Sequence, residues 1–171
     1  MKKSENYYTY KIGLPNHLSV GGLVVREDGQ IAVNRFQDIE GYKDIALLMR
    51  ETLEPNERLE EAVHRGLAEE FGMRGVIISY LGNISCRLFL KRKRFEIEKT
   101  TLYYYLTYLS HDAELRAEED RRFGGELEWH DPVELIDIMR MQASRVNRPD
   151  VDESQIVLRY LKLTQNDPPI I

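Results

Sequence analysis

Two adjacent carboxylates, Glu69 and Glu70, close the run RLEEAVHRGLAEEF at 58–71. Leu59, Ala62, Val63, Gly66 and Leu67 recur at i, i+3, i+4, i+7 and i+8, and Glu70 follows at i+11. At about 100° per residue this is one helical face, and Glu70 projects into its apolar stripe between Leu59 and Val63. A carboxylate placed there is costly unless it is paired, protonated or bound to a metal. With Glu69 beside it, the pair suits a hard cation such as Mg²⁺, which takes oxygen ligands and shares them with phosphate. The plainer alternative is a solvated Glu pair in the last helical turn, since Glu-rich faces are usually surface.

Other residues could add to such chemistry. Lys91, Arg92, Lys93, Arg94 and Lys99 form a basic hairpin tip that could hold a polyphosphate or simply aid solubility. Arg92 and Arg94 are its candidate substrate-binding residues. Tyr103, Tyr104 and Tyr105 alternate faces along a strand. Tyr103 is a candidate for stacking on a base, against the alternative of core or cross-strand packing. The segment 111–126 carries Asp112, Glu114, Glu118, Glu119, Asp120 and Glu126, either an extra ligand source or a solvated acidic loop. The four histidines have no metal-ligand spacing, and Cys86 reads as a small buried hydrophobe.

The elements that must position these groups alternate along the chain. Residues 17–26 read as a strand, Asp28-Gly29 as a hairpin turn, and 31–36 as the return strand. A short apolar strand at 44–49 precedes a polar loop at 50–57. The helix at 58–71 stops at Gly72. A long β segment at 76–90, a charged turn at 91–94 and a strand at 100–109 follow. A strand at 126–130 leads into a helix at 132–141 with Pro132 in its first turn. A last helix spans 150–163, where Asp150 and Glu153 have capping-box spacing. Strands mixed with a few helices predict an α/β or α+β layered domain.

The stretch from Glu51 to Met73, ETLEPNERLEEAVHRGLAEEFGM, resembles the Nudix box, Gx5Ex7REUxEExGU, where U is a bulky apolar residue. Glu57, Arg65, Leu67, Glu69, Glu70, Gly72 and Met73 match in order. Two positions depart. Glu51 stands where the family has Gly, and Gly66 stands where the family has the first Glu of REUxEE. The resemblance extends over about 17–163 and implies the Nudix fold, a mixed β-sheet sandwiched between helices. It also implies Mg²⁺ or Mn²⁺ as cofactor and hydrolysis of a pyrophosphate bond in a nucleoside diphosphate-linked small molecule.

In the residues' implied roles, Glu69 and Glu70 bind metal, Arg65 holds the box carboxylates and Glu57 supports the loop and Arg65. The family's missing carboxylate would have stood one turn above Glu70. Glu51 is the nearest candidate in sequence to replace it, with Gly66 leaving room; otherwise Glu51 points to water. Retention of Arg65, Glu69 and Glu70 favours an enzyme with an altered metal site. Loss of the carboxylate at 66 favours a catalytically impaired module that binds a nucleotide or a protein.

Composition narrows the rest. The 171 residues suit a single domain, with 1–12 and 166–171 as tails. One cysteine excludes an internal disulfide framework and a multi-cysteine zinc site. A formal charge of −5 does not favour bulk nucleic-acid binding. There is no secretory pattern at the N-terminus and no apolar window of about 18 residues, so no membrane partner is expected. The expectation is a soluble, cytoplasmic domain; a homodimer is left open.

Overall fold

Val20 and Val24 are buried on one side of strand β2 (Leu14–Val25), and Leu23 and Val25 on the other. A strand buried on both faces must lie inside the sheet with cover on each side. The computed structural model describes residues 7–11, 14–39, 42–90, 94–118 and 125–166, and it puts β2 in that place. β2 pairs antiparallel with β1 (Tyr7–Lys11), β3 (Ile31–Ile39) and β5 (Met49–Thr52), and parallel with β7 (Phe95–His111). β3 also carries β4 (Tyr42–Leu47) and β8 (Glu126–His130), and β7 pairs with β6 (Met73–Leu90). Among the described residues the result is an eight-stranded mixed sheet.

Helix α1 (Leu59–Phe71) covers one face. Val63, Leu67 and Phe71 pack there against Val20, Val24, Met49 and Leu106. Helices α2 (Pro132–Val146) and α3 (Ser154–Asn166) cover the other. Leu135, Met139, Ile156 and Val157 pack there against Leu23, Val33, Leu48 and Tyr103. This is the layered α+β arrangement expected, with helices on both sides of a mixed sheet. Among the described residues no helix is long and apolar enough to cross a membrane.

Four local readings change. Residues 7–11, expected within a tail, form β1 and pair with β2, with Tyr7 opposite His17. Residues 49–52, read as the end of one strand and the start of a loop, are the separate strand β5. Helix α2 runs to Val146, beyond the expected 141, and ends at Asn147 in the left-handed conformation (φ 52°), which Asn tolerates better than most residues. The expected capping box at Asp150 and Glu153 does not form. Residues 149–151 make a short 3₁₀ turn and α3 begins at Ser154, while both carboxylates turn to arginines.

Candidate active site

Strand periodicity sends neighbouring β5 side chains to opposite faces. Arg50 lies opposite Gly21 and Glu51 opposite Val20. Arg50 therefore enters the α2–α3 side and Glu51 the α1 side. On its side, Arg50 donates from Nε to Glu153 Oε1 at 2.8 Å and from Nη2 to the Asp150 carbonyl at 2.5 Å. Glu153 also accepts from the Leu48 amide at 2.8 Å and from the Tyr103 hydroxyl at 2.6 Å. Burial works against the Arg50 charge, but its charged and hydrogen-bonded neighbours, Glu153 foremost, together outweigh it and hold the guanidinium protonated. This buried network anchors β5 from behind.

The front of β5 meets α1. Glu51 is only 3% exposed. Its Oε1 accepts from the Thr52 amide at 2.8 Å and lies 3.2 Å from Arg65 Nη1. Arg65 also donates to both oxygens of Glu57, at 2.8 and 3.0 Å, and to the Thr52 carbonyl at 2.8 Å. Its Nη1 lies 3.6 Å from Glu69 Oε2. Arg65 thus binds strand, loop and helix together. The hydrogen bonds from Arg65 hold Glu57 below the usual carboxylate range, and Glu57 raises Arg65 in return. Glu70 is half-buried, and its Oε2 accepts from the Arg50 amide at 3.2 Å. The inward direction read from the helical stripe is correct for Glu70, and its partner is the backbone of β5.

Gly66 faces the same strand. A Cβ built there would stand 2.5 Å from Glu51 Cβ, 2.8 Å from Met49 Sδ and 3.2 Å from Glu51 Cγ. The Glu51 side chain occupies the space that a side chain at 66 would need. Helix α1 then closes at Gly72, whose φ of 65° suits a residue without a Cβ. Beyond it, the Asp112 amide donates to the Gly72 carbonyl at 2.7 Å and the Ala117 amide to the Glu69 carbonyl at 2.9 Å. The downstream loop therefore docks on the end of α1 through its backbone. Asp112 caps the turn at 113–115, and Glu114, Glu118 and Glu126 are exposed. Glu119 and Asp120 lie outside the described residues.

Tyr103 is 1% exposed and hydrogen-bonded to Glu153, so it is a core residue and has no surface to offer a base. Arg94 is exposed at the β6–β7 turn with φ 56°. Arg92 lies outside the described residues. Sequence reasoning passed over Arg50 and read Glu153 only as a capping residue; both support β5. A signal existed for Glu153: with Ile156, Val157 and Tyr160 it makes an i, i+3, i+4, i+7 stripe, a carboxylate on an apolar face like Glu70.

The NUDIX domain, as a family, matches residues 15–150 of this chain. The chain belongs to the Nudix family. Solved structures agree on the fold. The chain is similar to the E. coli ORF135 protein, with a TM-score of 0.59 and 14% identity over 92% of this chain and 97% of that one. It is also similar to a NUDIX hydrolase from Nitrosomonas europaea, with a TM-score of 0.59 and 15% identity over 86% and 89% of the two chains. A MutT protein from Methanosarcina mazei Go1 gives a TM-score of 0.50 and 18% identity over 82% and 99%. A comparison with curated protein sequences found no match.

The donors here are of the type a hard divalent cation takes, although among the described residues no three His, Cys, Asp or Glu side chains are grouped so as to hold one. Glu51, Glu69 and Glu70 offer only oxygen, and the space beside Gly66 is filled by a carboxylate-bearing side chain.

Proposed function

We propose that this protein is a metal-dependent hydrolase that cleaves a pyrophosphate bond in a nucleoside diphosphate derivative. One observation carries the reading: Arg65 ties Glu51 of β5, Glu57 of the loop and Glu69 of the last turn of α1 into one cluster, and Glu70 accepts from the backbone of β5. Glu51, Glu69 and Glu70 would hold Mg²⁺ or Mn²⁺. When bound, the cation would neutralise phosphate oxygens and acidify the attacking water. The chain's own residues supply placement. Arg65 keeps Glu57 ionised and aligns the loop with the helix. The Arg50 amide fixes the direction of Glu70, which is the candidate to accept the proton from water. Arg50 and Glu153 keep β5 in register behind the site.

A second reading, a Nudix-fold binding module without turnover, is favoured by one observation. Among the described residues no three His, Cys, Asp or Glu side chains are grouped as a metal centre, and the Arg65 guanidinium stands between Glu51 and Glu69. A panel of nucleoside diphosphate derivatives, assayed with Mg²⁺ and with Mn²⁺, separates the two. Release of a nucleoside monophosphate that depends on metal and is lost in Glu70→Gln supports the hydrolase. Metal-independent binding of a nucleotide with no product supports the module.

A further inference from the structure

We infer that Glu51 is a relocated metal ligand: the carboxylate absent from helix position 66 is delivered from strand β5, and Gly66 is the vacancy that admits it. The inference rests on the metal-dependent reading above and makes it specific to this chain.

The two positions exclude each other. A Cβ at 66 would meet Glu51 Cβ at 2.5 Å and Glu51 Cγ at 3.2 Å, distances that demand a shift. The Met49 Sδ contact at 2.8 Å belongs to a rotatable but fully buried side chain, which must also shift. A side chain is therefore tolerated at 51 or at 66, but not at both. Direction also favours exchange. On a helix, position 66 shares a face with 69 and 70, so a carboxylate there would point at the same volume. Glu51 reaches that volume from the opposite wall. Its Oε1 and Glu69 Oε2 address the same nitrogen of Arg65, at 3.2 and 3.6 Å. The residue before it, Arg50, holds Glu70 through its amide. Glu51 is thus linked to both members of the helix pair, to Glu69 through Arg65 and to Glu70 through the β5 backbone.

Relocation to a strand has a chemical consequence. A helix carboxylate at 66 would move with Glu69 and Glu70. Glu51 moves with β5, whose register is set by pairing with β2 and by the Arg50–Glu153 ion pair on the far face. The ligand set therefore spans two elements, and cation binding would fasten α1 to β5. The metal should raise the melting temperature of the wild type more than that of Glu51→Gly or Glu51→Gln.

The test is a reciprocal exchange read by Mn²⁺ titration calorimetry and by thermal unfolding with and without Mn²⁺. Loss of an outer-sphere partner alone costs about 10–100-fold in metal affinity, so Glu51→Gln should weaken Mn²⁺ binding by at least about tenfold. Glu51→Gly should do the same, and adding Gly66→Glu to it should recover most of the affinity. The steric half is tested without metal. Ala is ordinarily preferred to Gly inside a helix. Gly66→Ala should nonetheless lower the melting temperature of the wild type and raise that of Glu51→Gly, a reversal of sign. This pair keeps the test sound where Gly66→Glu alone fails to fold. Unchanged Mn²⁺ affinity in Glu51→Gln, with Glu70→Gln weakened, overturns the relocation and leaves the hydrolase reading standing. Wild type that binds no Mn²⁺ overturns both. The same sign for Gly66→Ala in both backgrounds also overturns the exchange.

Discussion

Arg65 grips both oxygens of Glu57, Nε to Oε1 at 2.8 Å and Nη2 to Oε2 at 3.0 Å. The geometry is the two-pronged match of a guanidinium to a carboxylate, which a lysine ammonium cannot reproduce. Glu57 also accepts from the Glu54 amide, so the pair organises the loop between β5 and α1. Arg65→Met would leave Glu51, Glu57 and Glu69 facing one another without their shared cation. The expected loss is on the order of 3 kcal/mol, the lower end for breaking a buried pair, because the Arg65 side chain keeps 20% exposure. Arg65→Lys should fall between. Urea denaturation measures both.

The same pair has a pH signature. Arg65 lowers the Glu57 pKa in the folded state. The folded state therefore binds fewer protons there than the unfolded state, and this stabilisation is present above the ordinary carboxylate pKa. It is lost as pH falls through the lowered value. The stability gap between wild type and Arg65→Met should narrow on acidification. A gap independent of pH would mean that Arg65 contributes only through its packing.

Glu70→Gln should separate chemistry from fold. The amide oxygen of Gln can still accept from the Arg50 amide, so thermal unfolding without metal should change little. Turnover should fall by about 10²–10⁴-fold, the usual scale for removing a general base. Equal turnover by Glu70→Gln and wild type would remove Glu70 from the reaction.

How much of this was legible depended on the range of the contacts involved. The box helix was readable because its apolar face repeats within the helix itself, and Gly72 punctuates it locally. The direction of Glu70 followed from the same period. Glu51 could be named from the box pattern, but its direction was not readable, because MRET carries too little alternation to announce a strand. It becomes one by pairing with Ser19–Gly22, about thirty residues earlier in the chain. The reading of Asp150 and Glu153 as a capping box failed for a similar reason. Local spacing fitted, but Arg50 claims Glu153 from 103 residues away, and Arg148 claims Asp150. A buried arginine outcompetes backbone amides that α3 satisfies otherwise, with Asp152 accepting from the Ser154 amide.

Tyr103 offers a direct check on the core reading. Its hydroxyl donates to Glu153 Oε1 at 2.6 Å, and its ring fills the space over Gly21, where a Cβ would meet the ring at 2.5 Å. Tyr103→Phe keeps the ring and removes one hydrogen bond to a charged acceptor, worth about 1.5–3 kcal/mol. Thermal unfolding should register that loss while KM for any substrate stays unchanged. A raised KM with unaltered stability would return Tyr103 to the substrate site.

Lys99 gives the protein an alkaline signature. On β7 it stands in register between Cys86 of β6 and His17 of β2. Burial first, and the charge of Arg50 second, lower its pKa from 10.5 to about 8. His17 is lowered to about 4, by burial and then by Lys99. Between about 8 and 10.5 the unfolded chain binds more protons at Lys99 than the folded chain does, so stability from this group rises with pH across that window. Below about 8 both states are protonated and the fold carries the cost of a partly desolvated ammonium. Lys99→Met removes that cost. The variant should be more stable than wild type at pH 7, and its advantage should fade as pH climbs from 8 toward 10.5. Taking the difference between the two proteins at each pH cancels the tyrosines that titrate in the same range. The His17 imidazole supplies an independent readout: with Lys99 gone, its pKa should move up from about 4, as followed by NMR. A stability advantage that is constant with pH, together with an unmoved His17, would show that the methionine acts by packing and not by removing a charge.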